Sequence, residues 1–332
     1  MEQKASIKKV LWDLEEVIEF SAGGYEATLI PSIGGNVIKL TKGSINILNN
    51  PKSIEEYKKS VTKYGIPILF PPNRIDKGTF KLKGTTYQFP VNEVEKNNSL
   101  HGFLQEANWN VVDQEIVNDD VVRVIIEYKS SENDKFFEYY PHFFTCTIEY
   151  TLSSEGLKQN VAVINNGNEI MPMAIGYHTA FDLNFTDGST KDSTMLKCSI
   201  GEKIELSERS LPTGKLLSLS ENEMKFRNEG ESTHYENLDD HFTVKPIDID
   251  GTKFHGAELI DINSGNKIVY EVGNEYKHWM IWNCDRNGHF VCIEPQTWRI
   301  NAPNLDIPNE ESGLIILDKN EKWSEIAKIS VK

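Results

Sequence analysis

A histidine and a glutamate each interrupt an apolar segment of this sequence. His178 follows the apolar run in MPMAIGYHTAFDL (171–183), and Glu294 lies inside FVCIEPQTW (290–298). A carboxyl group among apolar neighbours has a raised pKa unless it is paired, so it can serve as a general base near neutral pH. Histidine titrates in the same range and can donate or accept a proton. The two residues could form an acid–base pair, or they could be structural, as a satisfied core histidine and an ion pair of Glu294 with Arg299.

Two further polar side chains lie close to aromatic or apolar residues. Arg74 occurs in PPNRIDKGTF and His101 in NNSLHGFLQEANW. A guanidinium is a fixed fork of donors suited to hydroxyls or a carboxylate. Gly102, next to His101, lets a backbone or a ligand approach closely. The structural alternatives are a surface ion pair of Arg74 with Asp76 and a turn histidine that caps a backbone carbonyl.

The acidic pair Asp239–Asp240 in ENLDDHFTV is a fourth candidate, although such a pair is also typical of a solvated turn. The sequence contains no G-x-S-x-G motif, and no cysteine has histidine-rich surroundings, so nothing indicates a covalent nucleophile. Proton transfer without a covalent intermediate is the chemistry that these residue types favour.

Charge and hydropathy exclude several classes of partner. The 332 residues include 35 Lys and Arg against 50 Asp and Glu, which gives a net charge of −15. Such a surface repels phosphate backbones and anionic lipid, so we expect neither a nucleic-acid nor a membrane partner. No apolar run of about 18 residues is present, and the N-terminal segment lacks the apolar stretch of a signal peptide. We therefore expect a cytoplasmic protein.

The four cysteines are Cys146, Cys198, Cys284 and Cys292. They form no C-x-x-C pair, and their spacing suits neither zinc nor a disulfide framework. Cys284 and Cys292 flank a turn and could in principle bridge, but a cytosolic protein favours reduced thiols.

Strand patterns dominate the chain. Alternating segments include VIEFSAGGYEATLIPSIGGNVIKL, VVRVIIEYKS, FFTCTIEYTL, LKQNVAVIN and AELIDINSGNKIVYEV, and KGTFKLKGTTYQFPV has the pattern of a hairpin with Lys83-Gly84 at its turn. Short strands separated by turn residues every 8–12 positions or so predict an all-β sandwich or barrel. We predict one large antiparallel β-sandwich that occupies residues 1–332 as a single domain.

Helical signals are few. KSIEEYKKSVTKYG (52–65) has Ser53 as a candidate N-cap with Glu56 three residues later, and ENEMKFR (221–227) is a second short candidate. No βαβ alternation and no G-x-G-x-x-G occur, which argues against a nucleotide-binding doubly wound sheet.

Taken together, these motifs resemble the aldose 1-epimerase (galactose mutarotase) family over roughly residues 15–330. The segments NRIDKGTFKLKGTTYQFPVNE, NNSLHGF, LKQNVAVINNGNEIMPMAIGYHTAFDL and IEPQTWRINAPN are similar to family motifs in the same order. Pro71-Pro72 stands where galactose-specific members commonly carry tyrosine or alanine, and GYHTAFDL lacks the double histidine of some members. The resemblance is therefore to the divergent bacterial branch.

The resemblance implies a galactose mutarotase-like β-supersandwich with an open cleft for a monosaccharide of the galactose or glucose type. Glu294 would take the proton of the anomeric hydroxyl and His178 would protonate the ring oxygen, with exchanged roles on ring closure. His101 would polarise the ring oxygen, and the aromatic neighbours Tyr177 and Phe181 would form the cleft wall.

Substrate-binding roles are implied for further residues, namely Arg74, Gln296 and one of Asp239 and Asp240. We expect no metal and no other cofactor, and a monomer or homodimer. A related branch acts on hexose 6-phosphates, which would need a second cation, for which Arg286 and Arg299 are candidates.

Three other interpretations remain open. A non-catalytic carbohydrate-binding protein would use the same cleft but has no need of a His178–Glu294 pair. His101, His178 and Glu294 could also be a two-histidine, one-carboxylate metal site, although such sites usually draw two ligands from one short motif. A glycosidase would need two facing carboxylates, of which only Glu294 is evident.

Overall fold

The computed structural model describes residues 4–249 and 251–332. Strands and short helices of the first third are β1 Ser6–Trp12, β2 Glu15–Ala22, β3 Tyr25–Ile30, β4 Asn36–Lys42, β5 Ile45–Asn46, α1 Ile54–Lys59, β6 Ile68–Leu69, β7 Arg74–Asp76, β8 Thr79–Leu82, β9 Thr85–Gln88 and β10 Asn98–Leu100. Short 3-10 turns lie at Val61–Lys63, Val94–Lys96 and Leu104–Glu106.

The middle of the chain is mostly strand. Its elements are β11 Asn110–Asn118, β12 Val121–Lys129, β13 Phe144–Ser153, β14 Gly156–Asn165, β15 Met171–Met173, β16 Gly176–Tyr177, β17 Thr179–Asp182, β18 Thr194–Cys198, β19 Ile200–Leu206, β20 Pro212–Leu217 and α2 Glu221–Asn228.

The remaining elements are β21 Glu231–Ser232, β22 Asp239–Val244, β23 Ile247–Ile249, β24 Thr252–Phe254, β25 Gly256–Asp261, β26 Lys267–Val272, β27 His278–Trp282, β28 Phe290–Gln296, α3 Asn309–Ser312, β29 Ile315–Leu317 and β30 Lys322–Val331, with a 3-10 turn at Ala302–Asn304. No helix among the described residues is long and apolar enough to cross a membrane.

Two large antiparallel sheets make up most of the fold. Within the described residues one has nine strands in the order β11-β12-β13-β14-β30-β26-β25-β18-β21. The other has eight, in the order β20-β19-β22-β27-β28-β16-β6, with β17 also paired to β28. A third sheet joins β1 to β5 in chain order. The predicted all-β antiparallel sandwich is confirmed.

The pattern of buried residues along a strand indicates whether one or both of its faces are covered. In β12 and β13, buried residues alternate with less buried ones, as expected for strands with one face on the core. Every residue of β28 is buried, because this strand lies between β27 and both β16 and β17. Any side chain of β28 is therefore withdrawn from water, including the carboxyl of Glu294.

A single hydrophobic cluster contains residues from both ends of the chain, from Ile18 to Val331. Its aromatic contacts join the two large sheets, since Phe181 of β17 packs edge-on against Tyr270 of β26 with ring centroids 5.5 Å apart. The single-domain arrangement stays a prediction, and this shared core is the observation that supports it.

The two predicted helices differ in length from their sequence patterns: the first is shorter and the second is longer. The segment 52–65 is helical only over Ile54–Lys59, where the Ser53 hydroxyl accepts the Glu56 N–H. The Glu56 carboxylate accepts the N–H of Lys52 instead of completing a capping box. The chain then tightens into the 3-10 turn Val61–Lys63, whereas the second predicted helix extends to Asn228.

The loop after β10 is anchored by a close backbone contact. The backbone has a φ of +67° at His101 and +65° at Gly102. A Cβ on Gly102 would lie 1.9 Å from the carbonyl oxygen of Phe70, which accepts the N–H of Phe103. Only glycine fits this position without displacing the loop.

Replacing Gly102 with alanine should therefore lower the free energy of unfolding by roughly 2–6 kcal/mol, because backbone strain and a steric clash add. Gly84 is the matched control, since its φ is +92° and no atom would lie within 4 Å of a Cβ added there. G84A should cost only the strain, about 1–3 kcal/mol. Urea unfolding of both variants measures the difference, and equal losses would contradict this account of Gly102.

Candidate active site

A cavity of about 270 Å³ lies on the face of the eight-stranded sheet that points away from the shared core. Its lining residues are Thr62, Lys63, Asn73, Arg74, Leu100, His101, His178, Asp239, Met280, Trp282 and Glu294. Its volume is just below the range of about 300–1,000 Å³ that holds drug-sized ligands, which favours a small ligand.

Strand register brings the sheet residues of the cavity together. Met280 lies opposite Glu294, and Trp282 lies opposite Asp239. Side chains of directly opposed residues share a face of the sheet, so these four point to the cavity. The remaining lining residues come from the segments around Thr62, Arg74 and His101, which cover that face.

His178 and Glu294 are in direct contact at the bottom of the cavity. Nε2 of His178 lies 3.2 Å from Oε1 of Glu294. Gly176 pairs with Gln296 and Thr179 with Ile293, and the same register sets His178 opposite Glu294. Both residues are buried, with 5% and 1% of their surface exposed. The predicted acid–base pair therefore exists as a contact, whereas Arg299 pairs with Glu311 instead.

Burial shifts the two groups in opposite directions. Loss of hydration, followed by the nearby charge of Asp239, raises the pKa of Glu294 well above its usual range. Loss of hydration lowers the pKa of His178 to about 4, although the carbonyls of His178 itself and Thr62 favour the protonated ring. Both shifts oppose the charged forms and favour a neutral pair in which the shared proton resides on Glu294.

Gln296 lies behind this pair and does not line the cavity. Its Nε2 donates to Oε2 of Glu294 at 3.2 Å, and the residue is fully buried. The contact orients the carboxyl group that faces His178. The structure thus places Gln296 against Glu294, whereas the sequence suggested direct binding of a ligand.

His101 lies beside His178 as a second imidazole. The rings meet edge to face with centroids 5.0 Å apart. Nδ1 of His101 accepts the N–H of Asn73 at 3.3 Å, which leaves Nε2 to carry the proton as a donor. Burial and the neighbouring His178 and Arg74 lower the pKa of His101 well below its usual value, so the ring is neutral. The ring does not cap a carbonyl, which was the structural alternative.

Arg74 is held by two carboxylates. Its Nε lies 3.0 Å and its Nη2 3.0 Å from the two oxygens of Glu93, and Nη2 lies 3.4 Å from Oδ2 of Asp239. Burial opposes the charge, but these contacts with Glu93 and Asp239 outweigh it and raise the pKa of Arg74. Asp76, the partner considered from sequence, pairs with Arg209 at 2.6 Å. Glu93 was missed, although it ends the recognised motif FPVNE.

The two neighbouring aspartates point to opposite faces of β22, as successive strand residues must. Asp239 lines the cavity. Asp240 contacts Nζ of Lys203 at 2.8 Å and is absent from the cavity lining. The structure therefore places one of the two candidates at the site and the other in a separate ion pair.

The aromatic wall is formed by a different residue from those expected. Tyr177 and Phe181 are buried in the core between the large sheets, so their assignment to the cavity wall was wrong. They lie an odd number of residues from His178 and therefore occupy the opposite face. Trp282 lines the cavity instead, with its ring centroid 5.6 Å from that of His178. Its signal was the aromatic-rich strand HWMIW.

Cations near the cavity also differ from those expected. Arg299 is buried beside Glu311, and the backbone N–H of Arg286 binds Asn237 on the exposed loop, so neither lines the cavity. Lys63 does line it, 5.8 Å above the Trp282 ring. Among the described residues, no group of three or more His, Cys, Asp or Glu side chains has the geometry to hold a metal ion.

The geometry combines a proton-sharing pair, a fixed guanidinium, a carboxylate and an indole face around one small cavity. The His178–Glu294 pair can donate and accept protons. The charged groups can donate to and accept from hydroxyls, and the ring offers an apolar surface for C–H groups.

Comparison with known proteins shows the family of the chain. Residues 16–330 match the model of the family described as aldose 1-epimerase. A galactose mutarotase-like protein from Clostridium acetobutylicum has a similar structure, with a TM-score of 0.97, 37% identity, and coverage of 100% of this chain and 99% of that one. Galactose 1-epimerase from Lactobacillus acidophilus NCFM shares the fold, with a TM-score of 0.77 at 15% identity over 100% and 99% of the two chains.

Among curated sequences, the uncharacterized protein YihR of Escherichia coli K12 is 25% identical over 199 residues. The match spans 60% of this chain and 59% of the length of YihR. The family match extends over nearly the whole chain, and it confirms the resemblance carried by the sequence motifs. The chain therefore belongs to the aldose 1-epimerase family.

Proposed function

We propose that this protein is an aldose 1-epimerase that interconverts the α and β anomers of an aldohexose by acid–base ring opening and closure. The observation that carries the proposal is the 3.2 Å contact between His178 and Glu294 at the bottom of a small polar cavity. A binding protein has no use for two buried titratable groups that share a proton.

Ring opening needs one proton removed and one proton supplied. The anomeric hydroxyl loses its proton as its oxygen becomes the aldehyde carbonyl, and the C1–ring oxygen bond breaks as the ring oxygen gains a proton. Rotation about C1–C2 and closure on the other face then give the other anomer. The total proton count does not change, so a pair that holds one proton suffices.

The resting pair is the neutral one, with the proton on Glu294. Transfer of that proton to His178 across the 3.2 Å contact produces a carboxylate and an imidazolium. Glu294 then takes the anomeric proton and His178 protonates the ring oxygen, which restores the neutral pair beside the open-chain sugar. Closure follows the same path in reverse, and burial favours the neutral pair because it carries no separated charge.

The other lining residues bind the sugar. His101, with a proton on Nε2, donates to the ring oxygen. Arg74 and Asp239 offer donors and acceptors for hydroxyls next to the anomeric carbon, and their mutual contact holds both side chains in place. Trp282 packs on the C–H face of the sugar ring.

His178→Asn and Glu294→Gln should each reduce turnover by roughly 10²–10⁴-fold, the usual contribution of a general acid or base. The measurement is the relaxation of freshly dissolved α-glucose and α-galactose toward anomeric equilibrium, followed by polarimetry or NMR. His234, which is also 5% exposed but lies outside the cavity, provides the control H234N with expected wild-type turnover. Sugar binding without acceleration in the wild type would instead establish a carbohydrate-binding protein.

Asp239→Asn should raise KM by about 10–100-fold, because a charged acceptor contributes roughly 1.5–3 kcal/mol. Asp240→Asn changes the same functional group one residue away on the opposite face and should leave KM unchanged. Steady-state kinetics with the preferred monosaccharide measures both variants. A KM effect of D240N equal to that of D239N would overturn the assignment of Asp239.

A second candidate substrate is an aldose that carries an anionic group, such as a hexose 6-phosphate. Lys63 favours it, because within the described residues its Nζ contacts the Cys284 sulfur at 3.5 Å and the Trp282 ring rather than a carboxylate.

Lys63→Met tests this candidate. If the substrate is anionic, kcat/KM for glucose 6-phosphate should exceed that for glucose and fall about 10–100-fold in K63M, as expected on loss of a charged hydrogen bond. The value for glucose should stay within about twofold. Preference of the wild type for unphosphorylated glucose would rule the candidate out.

A further inference from the structure

The turn between β19 and β20 reaches the segment that holds Arg74 in place. This hairpin turn, residues 207–211, lies at one edge of the eight-stranded sheet, because β20 is the first strand of that sheet. Within the turn, the N–H of Ser210 donates to the carbonyl of Ser207 at 2.8 Å. Arg209, in the middle of the turn, lies outside the lining of the catalytic cavity.

Arg209 binds three consecutive residues of the segment that leads into β10. Its Nε donates to the carbonyl of Lys96 at 2.9 Å, and its Nη2 donates to the carbonyl of Asn97 at 2.9 Å and to Oδ1 of Asn98 at 3.2 Å. Nη2 also lies 2.6 Å from Oδ1 of Asp76. A planar guanidinium can hold several acceptors in one fixed arrangement. Arg209 therefore fixes this segment against β7.

Asn98 connects the hairpin turn to Glu93. It is fully buried, and its Nδ2 donates to Oε2 of Glu93 at 2.9 Å and to the carbonyl of Arg209 at 2.9 Å. The backbones of Glu93 and Asn98 also exchange two hydrogen bonds, of 3.1 Å and 3.2 Å. Because the side-chain amide of Asn98 binds both Glu93 and Arg209, it sets the direction of the Glu93 carboxylate relative to the hairpin turn.

Glu93 passes this constraint to the catalytic cavity. Its carboxylate accepts from Nε and from Nη2 of Arg74, at 3.0 Å each, and Arg74 lines the cavity. Burial raises the pKa of Glu93, but the hydrogen bonds from Arg74 and Asn98 outweigh it and lower the pKa below its usual value. The carboxylate is therefore ionised at neutral pH and holds the guanidinium in a two-bond fork.

We propose that Arg209 is a positioning residue, which acts through Asn98 and Glu93 to direct the Arg74 guanidinium and thereby sets the affinity of the cavity for the sugar. This inference rests on the proposed function. None of the four residues to which the Arg209 side chain donates lines the cavity. Any effect of Arg209 on sugar affinity must therefore pass through other side chains.

The test variant is Arg209→Met, which removes the donors but keeps an unbranched side chain. Arg123→Met is the matched control, because Nη2 of Arg123 also lies 2.8 Å from each of two carboxylates. The two arginine side chains are similarly exposed, at 39% for Arg209 and 34% for Arg123. Anomeric relaxation gives kcat and KM, and calorimetry gives Kd, for glucose, galactose and glucose 6-phosphate.

R209M should raise KM and Kd by about tenfold, as expected when one charged hydrogen bond to the sugar is lost. The kcat should change by less than about threefold, since the His178–Glu294 contact is not altered. Arg209→Lys keeps the charge but not the fork, so its KM should lie between those of the wild type and R209M. R123M should leave KM unchanged, even if urea unfolding shows that it is as destabilised as R209M.

A double variant tests the route through Glu93. In a Glu93→Gln background, R209M should raise KM by less than about twofold further, because the connection to Arg74 is already broken. A tenfold effect of R209M that persists in this background would overturn the inference. An unchanged KM in R209M alone, or an equal rise in R123M, would also overturn it.

The same measurements separate this inference from the proposed function. Binding of one of the three sugars without any acceleration would refute the proposed function alone, and the Kd values of R209M and R123M would then decide the inference. Failure of the wild type to bind or to accelerate any of the three sugars would refute both.

Discussion

The contact between a buried carboxyl and a buried imidazole is the constraint on which the rest of this site depends. A charged Glu294 or a charged His178 alone would be unfavourable at these almost fully buried positions. Sharing one proton lets the pair stay neutral overall. The contact requires β28 to lie between β27 and the strands β16 and β17, because only this register sets the two residues opposite each other.

Around this pair lies a set of acidic and basic side chains. Arg74 contacts Glu93 and Asp239, and Lys96 lies 3.7 Å and 3.9 Å from the same two carboxylates. Two positive and two negative charges thus balance next to the pair. These charged side chains influence the His178–Glu294 pair. Burial raises the pKa of Glu294, the charge of Asp239 adds to that rise, and the charge of Arg74 opposes it. In the proposed reaction, this influence would couple proton transfer at the pair to sugar binding at Arg74 and Asp239.

Local backbone conformation explains how the segments around Thr62 and His101 reach the face of the eight-stranded sheet that carries the cavity. Helix α1 ends at Lys59, and the following 3-10 turn carries Thr62 and Lys63 to the cavity. A continuous helix to residue 65, as the pattern suggested, would direct these side chains elsewhere. Likewise, positive φ values at His101 and Gly102 bend the chain under Phe70 and turn the imidazole toward His178. The irregular parts of the fold are those that complete the site.

The amino-acid sequence by itself determined the class of fold and the residue types of the chemistry. Alternation with period two marks strands, and the histidine and glutamate inside apolar segments indicated buried titratable groups. The tertiary structure alone decided partners and faces: Glu93 for Arg74, Asp239 at the cavity, Gln296 behind Glu294, and Trp282 as the wall. The reason is physical. Alternation separates the two faces of a strand, but it does not say which face meets the core when both are covered. Strand register arises only when the sheets assemble, because it joins residues more than 100 positions apart, such as His178 and Glu294.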